Sequence, residues 1–273
     1  MVEMPVLPPL PTTNPRLVAT DLDGTLVRSD GTISSYTAWV LAELDRRDVP
    51  VVFVTGRPLR WARDVFEYVG SHGLAVLTNG AMVWDVAADT PRIERLVPRE
   101  VVLASCEILR EAMPDVQFSI ETVDGWSTEV GHWRGGRIGP LREGPLEEIV
   151  DQPVLKLLAR RQGVDPDEFT AHARELIGHS VEVTHSSFPL LEISALGVTK
   201  ASTLAMLCDD LGITSDEVVA FGDMPNDLPM LGWAGTSYAM ADGHPDVVER
   251  AMRLAPSHDD DGVARVLAGL LDL

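Results

Sequence analysis

Leu17-Val18-Ala19-Thr20-Asp21-Leu22-Asp23-Gly24-Thr25 opens as a short apolar run and breaks into two acids, a glycine and a hydroxyl. The run reads as a buried strand with the acids at its C-terminal end, where an α/β protein keeps its chemistry. On extended backbone, side chains two apart point the same way, so Asp21 and Asp23 are expected to face one pocket. Gly24 permits a sharp exit from the strand.

Outward from this stretch, strands and helices alternate. Ala38, Val40, Leu41 and Leu44 recur at helical spacing behind Ser34, a suitable N-cap. Pro50 to Val54 is a β-branched apolar run, and Thr55-Gly56-Arg57-Pro58 then leads into a second predicted helix carrying Leu59, Ala62, Val65, Phe66 and Val69. Leu74 to Leu77 forms a third buried run ending in Thr78-Asn79-Gly80. Continuous apolar strands separated by helices imply a parallel sheet.

The pattern changes after about Val83. A helix is predicted over Arg99 to Met113 and another over Pro166 to Ile177, among strands near Val116 to Ile120, Trp126 to Val130, Val154 to Ala159, Val181 to Thr184 and Leu190 to Ile193. Strands that follow strands with polar alternation indicate an antiparallel α+β module. The first pattern then resumes with a helix over Lys200 to Leu211 and strands at Val218 to Phe221 and Tyr238 to Met240. The expected fold class is α/β, a doubly wound parallel sheet with an inserted α+β domain. Its expected parts are a loose tail over 1–15, a core over 16–83 and 195–273, and an insertion over 84–194.

The chain has 273 residues, enough for one large domain or two moderate ones, and a formal net charge of -20. Such charge opposes binding to nucleic acid or an anionic membrane surface. Cys106 and Cys208 lie within apolar helical patterns and read as small buried hydrophobes, which fits a reducing compartment. The proline-rich start lacks the basic and apolar regions of a signal peptide, and no apolar run approaches membrane-spanning length. A cytoplasmic location is expected, and the oligomeric state is not legible.

Polar clusters stand at strand ends or helix starts: Asp21 with Asp23, Thr55, Lys200, and Gly222-Asp223-Met224-Pro225-Asn226-Asp227. In a doubly wound sheet these ends share one edge. Gathered carboxylates repel unless a cation intervenes, and an all-oxygen set suits Mg2+, the expected cofactor. A carboxylate facing phosphorus can attack it, which casts Asp21 as nucleophile. Asp23 could protonate the leaving oxygen and then take a proton from water. Lys200 and Thr55 offer a positive charge and a hydroxyl to the phosphoryl oxygens, Asp223 completes the metal shell, and Asn226 and Asp227 form an outer shell.

Asp21-Leu22-Asp23-Gly24-Thr25-Leu26, Val54-Thr55-Gly56-Arg57, Thr199-Lys200 and Gly222-Asp223-Met224-Pro225-Asn226-Asp227 resemble the four motifs of the haloacid dehalogenase superfamily of phosphohydrolases. Thr78-Asn79-Gly80-Ala81 and Asp261-Gly262-Val263-Ala264 further resemble its Cof-type branch, whose cap is of the IIB class. The resemblance implies a Rossmann-like core and Mg2+-dependent phosphatase activity on sugar phosphates or similar small phosphomonoesters. It places the Mg2+ ligands on Asp21, the Asp23 carbonyl and Asp223, and the phosphate contacts on Leu22, Thr55, Gly56, Lys200 and Asn226. Ala241-Asp242-Gly243 departs from the Gly-Asn-Ala common in that branch.

Specificity is expected in the inserted domain. Gly131 to Arg142 holds His132, Arg134, Arg137 and Arg142 with no acid, flanked at its start by Trp126 and Trp133. A basic loop in an acidic chain could cover the site and attract an anionic leaving group. Arg57, Asn79, Arg134 and Arg137 are the candidates for touching substrate. The expected partner is a small phosphorylated metabolite. The rival readings are a phosphomutase using the same two aspartates, and a protein that binds phosphate ligands without turnover.

Overall fold

The computed structural model describes residues 15–130, 139–186 and 190–273. The chain opens with β1 (Leu17–Thr20), wholly buried, and α1 (Ser35–Arg46), which hides Val40, Leu41 and Leu44. Ser34 is the N-cap, its hydroxyl accepting from the Thr37 amide at 3.0 Å. After β2 (Val51–Val54), only α2 (Leu59–Ala62) of the second predicted helix is α-helical, and Arg63–Tyr68 winds as 3₁₀. The buried residues Leu59, Ala62 and Val65 recur every third position, a spacing that the tighter helix aligns on one face.

β3 (Leu74–Leu77) is followed by a pair that the apolar pattern did not disclose, β4 (Met82–Asp85) and β5 (Thr90–Glu94), joined antiparallel. The next elements are α3 (Arg99–Ala112), β6 (Gln117–Glu121), β7 (Trp126–Thr128), β8 (Arg142–Glu143) and α4 (Leu146–Ile149). They lead to β9 (Lys156–Arg160), α5 (Pro166–Ile177), β10 (Val181–Thr184) and β11 (Leu190–Ala195). The chain closes with α6 (Lys200–Leu211), β12 (Val218–Gly222), α7 (Leu228–Trp233), β13 (Thr236–Met240), α8 (Pro245–Arg250), β14 (Arg253–Ala255) and α9 (Gly262–Leu270).

The fold has two compact units, one from Met1–Thr55, Val65–Ala75 and Leu204–Leu273, the other from Gly56–Asp64 and Val76–Thr203. In the first, strands follow the order β14-β13-β12-β1-β2-β3. β1 pairs parallel with both β2 and β12, and β13 continues parallel between β12 and β14. From β1 the chain therefore winds one way through β2 and β3, and later the other way through β12, β13 and β14. That reversal puts the topological switch point, the usual ligand position of such sheets, between β1 and β12.

In the second unit a six-stranded sheet has the order β10-β11-β9-β6-β7-β8. Its pairings are antiparallel apart from β7 with β8. One set of alternate residues, including Phe118, Ile120, Leu157, Ala159, Leu191 and Ile193, joins a core with Val102, Cys106 and Leu109 of α3 and Phe169, Ala173 and Ile177 of α5. The intervening positions carry buried polar groups instead: Ser119, Glu121, Lys156, Glu192 and Ser194. The fold is therefore α/β with a parallel-rich central sheet and an inserted α+β cap.

Both cysteines are buried and unpaired, as small hydrophobes would be. Burial pushes the Cys208 thiol up to about 11 and Cys106 higher still. Among the described residues, no helix is long and apolar enough to cross a membrane.

Candidate active site

β1 ends at Thr20, one residue before the first acid, so Asp21 to Leu26 form a turn rather than a continued strand. The Leu22 carbonyl gathers the amides of Thr25, Leu26 and Val27 at 3.2, 3.0 and 2.8 Å. Leu22 is wholly buried. The turn buries Asp21 and leaves Asp23 exposed. Gly24 makes the turn possible, with φ +78° and no room for a side chain, since an added Cβ would lie 2.9 Å from Asp223 Cγ and closer still to its Oδ2.

At the switch point the first unit gathers Asp21, Asp223 and Asp227, all buried, with one carboxylate oxygen of each within 4.8 Å of the others. β1 delivers Asp21, whose amide donates to the Phe221 carbonyl at 3.0 Å. β12 ends at Gly222 and delivers Asp223 from the neighbouring strand. Thr25 Oγ1 donates to Asp223 Oδ1 at 2.8 Å, so the hydroxyl of the opening motif orients a carboxylate 198 residues away. Asp227 Oδ2 accepts from the amides of Asp223 and Met224, both at 3.0 Å, and so ties down the loop that carries Asp223. Gly222 leaves space for this, as a Cβ there would meet Asp227 Cβ at 2.5 Å. Three buried carboxylates so close together repel strongly in a low-dielectric setting, and their all-oxygen donor set fits a hard divalent cation.

Thr55 and Asn226 are buried in this unit, Thr55 directly after β2 and Asn226 in the 3₁₀ turn Pro225–Asp227. Asp242, in the stretch that departs from the branch pattern, accepts from Ser257 Oγ at 2.5 Å and contacts His258 Nδ1 at 2.7 Å. Burial alone would raise its carboxyl, yet these hydrogen bonds hold it below the usual carboxylate range.

The second unit contains Gly56, Arg57, Asn79 and Lys200. Lys200 opens α6 and is 1% exposed. The start of that helix is fixed reciprocally: the Thr199 amide donates to Ser202 Oγ at 3.0 Å and the Ser202 amide donates to Thr199 Oγ1 at 3.1 Å. Thr203 Oγ1 and the Gly80 carbonyl, 2.7 Å apart, anchor the next turn. Arg57 donates to the Trp61 carbonyl at 3.2 Å. Asn79 is buried and donates from Nδ2 to Glu192 Oε2 at 2.9 Å. Arg134 and Arg137, with His132 and Trp133, lie outside the described residues.

Sequence reasoning left Lys156, Glu192, Glu121 and Arg60 unassigned. Lys156 donates to Glu192 Oε1 at 2.8 Å and to the Gly56 carbonyl at 3.0 Å, and Arg60 pairs with Glu121. The available signal was a charge inside an apolar strand, as in Leu190-Leu191-Glu192-Ile193 and Val154-Leu155-Lys156-Leu157. Burial by itself would raise the Glu192 carboxyl, but Lys156, the Asn79 amide and the Lys200 charge hold it below the ordinary glutamate value. For Glu121 burial prevails over Arg60 and Lys156, and its carboxyl is raised.

The chain belongs to the haloacid dehalogenase-like hydrolase family, which its residues 18–267 match. Within it the chain is a phosphoric monoester hydrolase of the Cof-type branch. It is 31% identical over 255 residues to the 5-amino-6-(5-phospho-D-ribitylamino)uracil phosphatase YcsE of Bacillus subtilis, a match covering 92% of this chain and 94% of that one. A phosphoglycolate phosphatase of Methanopyrus kandleri is 29% identical over 258 residues, covering 94% and 97%. The fold superimposes on the subclass IIB sugar phosphatase BT4131 with a TM-score of 0.81 at 19% identity, covering 96% of this chain and 100% of that one.

Proposed function

We propose that the protein is a Mg2+-dependent phosphatase that hydrolyses small phosphomonoesters through an aspartyl-phosphate on Asp21. The observation that carries this reading is the buried cluster of Asp21, Asp223 and Asp227 at the switch point of the parallel sheet. Asp21, the Asp23 carbonyl and Asp223 would hold the cation, with Asp227 supporting the loop behind them. Bound there, Mg2+ would offset the negative charge of the carboxylates and of the phosphoryl group.

In the first step a carboxylate oxygen of Asp21 forms a bond to phosphorus as the bond to the leaving alcohol oxygen breaks. Asp23, as the acid, delivers a proton to that oxygen. Its exposed position suits exchange with leaving group and water. In the second step water adds to phosphorus, the bond to Asp21 breaks, and the Asp23 carboxylate takes the proton of the water. Leu22, Thr55, Gly56, Asn226 and Lys200 are assigned to the phosphoryl oxygens, where fixed donors and a positive charge favour the transition state.

The inserted segment 84–194 is assigned the choice of leaving group, with Arg57, Asn79, Arg134 and Arg137 as candidates for substrate contact. The relatives act on a phosphorylated ribitylaminouracil and on phosphoglycolate, which supports a small phosphorylated metabolite as substrate without selecting one. Two buried, unpaired cysteines support a cytoplasmic setting. The test is phosphate release from p-nitrophenyl phosphate with Mg2+ or with excess chelator, by wild type and Asp21→Asn. Release that needs Mg2+ and vanishes in the variant is expected. Equal release by both proteins would remove Asp21 from the mechanism.

A further inference from the structure

Lys156 lies opposite Glu121 across the β6–β9 register and one residue from Leu157, the partner of Ile193. This places its ammonium between two buried carboxylates, Glu121 and Glu192, with Arg60 beyond Glu121. An ionic network of this kind is not an efficient way to stabilise a fold, because desolvation cancels much of the Coulombic gain and an apolar replacement often serves as well. Its outward contacts suggest another purpose. Lys156 donates to the Gly56 carbonyl at 3.0 Å, and Glu192 accepts from Asn79 at 2.9 Å.

The turn that carries Asn79 has an unusual backbone. Thr78, Asn79 and Gly80 have φ of +55°, +58° and +99°, three successive residues in the left-handed region, the first of them β-branched. Thr78 Oγ1 is buried with no hydrogen-bond partner among the described residues. Gly56 is packed against the same groups, since a Cβ there would lie 3.0 Å from Asn79 Oδ1 and 3.5 Å from Glu192 Oε1. The pair therefore bonds to residues that follow both β2 and β3.

The geometry points to Lys156 and Glu192 as positioning residues that hold the Gly56 peptide and Asn79 in the conformation phosphoryl transfer requires. The inference rests on the assignment of Thr55 and Gly56 to the phosphoryl group. Lys156 reaches the reaction through Gly56, whose amide belongs to the peptide bond with Thr55 and whose carbonyl Lys156 fixes. Loss of such support commonly lowers activity about 10- to 100-fold. Misplaced donors weaken transition-state binding more than substrate binding, so the loss falls on kcat.

The test compares wild type, Lys156→Met and the double variant Lys156→Met/Glu192→Gln on p-nitrophenyl phosphate with Mg2+, with thermal melting measured in parallel. The single variant strands a buried carboxylate and melts early. The double variant removes that charge, leaves an acceptor for Asn79 and recovers most of the melting temperature. The expected result is a kcat at least 10-fold below wild type in the folded double variant, with KM within about threefold. A double variant with wild-type kcat overturns the positioning role alone. Absence of Asp21-dependent release from wild type overturns the phosphatase reading, and this inference with it.

Discussion

Replacing Gly24 by alanine tests the geometry of the carboxylate cluster through one methyl group. Two effects are separable. The first is backbone strain: at φ +78° an alanine in the left-handed region costs about 1–2 kcal/mol. In a protein of this size that lowers the melting temperature by about 2–8 °C. The second is a collision, because the new Cβ would lie 2.9 Å from Asp223 Cγ, whereas ordinary contact begins at 3.4 Å. Asp223 must retreat by about half an ångström at Cγ, and its nearer oxygen by more, against the hydrogen bond from Thr25. Reacting groups tolerate about 0.5 Å of error, and a displacement of about 1 Å costs about 100-fold in rate. Gly31 provides the matched control, with φ +81° and nothing within 4 Å of an added Cβ. Gly31→Ala should melt early like Gly24→Ala yet keep wild-type kcat/KM on p-nitrophenyl phosphate. Gly24→Ala should lose about 10- to 100-fold and need more Mg2+ for half-maximal rate. Equal kcat/KM and equal Mg2+ dependence in the two variants would refute the reasoning.

Asp227→Ala should cost about 2–4 kcal/mol in urea denaturation, because one buried and one partly buried amide that now donate to one carboxylate oxygen lose their acceptor. Its kcat/KM should fall at least about 10-fold, since those amides carry Asp223. Glu192 and Glu121 should give stability–pH slopes of opposite sign. The Glu192 carboxyl is lowered on folding, so its contribution is present above the unfolded value of about 4.3 and is lost as pH falls through the folded value. Glu121 is raised, so its contribution is present below about pH 4.3 and is lost as pH rises through the folded value. Relative to wild type, Glu192→Gln should therefore become less stable and Glu121→Gln more stable as pH rises through the acid range. Denaturant titrations between about pH 3.5 and 7 would expose a wrong sign in either case.

Much of the core was legible because buried parallel strands leave dense local signals. Leu17–Ala19, Val51–Val54 and Leu74–Leu77 are continuous apolar runs, and all are fully buried. β5 gave no such signal, since its residues are mostly exposed and include Pro91. The helix expected through Val69 gave way to 3₁₀ winding after Ala62, because a spacing of three and a spacing of 3.6 are hard to tell apart over two turns.

The candidate site divides along the same line. Residue type and adjacency to a strand end or helix start singled out Asp21, Thr55, Lys200 and Asp223, and these properties are local to a few residues. Position along a strand could not settle how exposed Asp23 would be, because β1 ends at Thr20. Nor could it connect Thr25 with Asp223, or Lys156 with Glu192 and Gly56, which lie 198, 36 and 100 residues apart. The sequence by itself determined which chemical groups stand at the ends of the strands, because burial and chain reversal are written in short apolar runs and the residues that break them. Tertiary structure alone decided which of those groups share a hydrogen bond or a charge, because a buried partner is chosen by strand order and register, and neither is encoded next to the residue it serves.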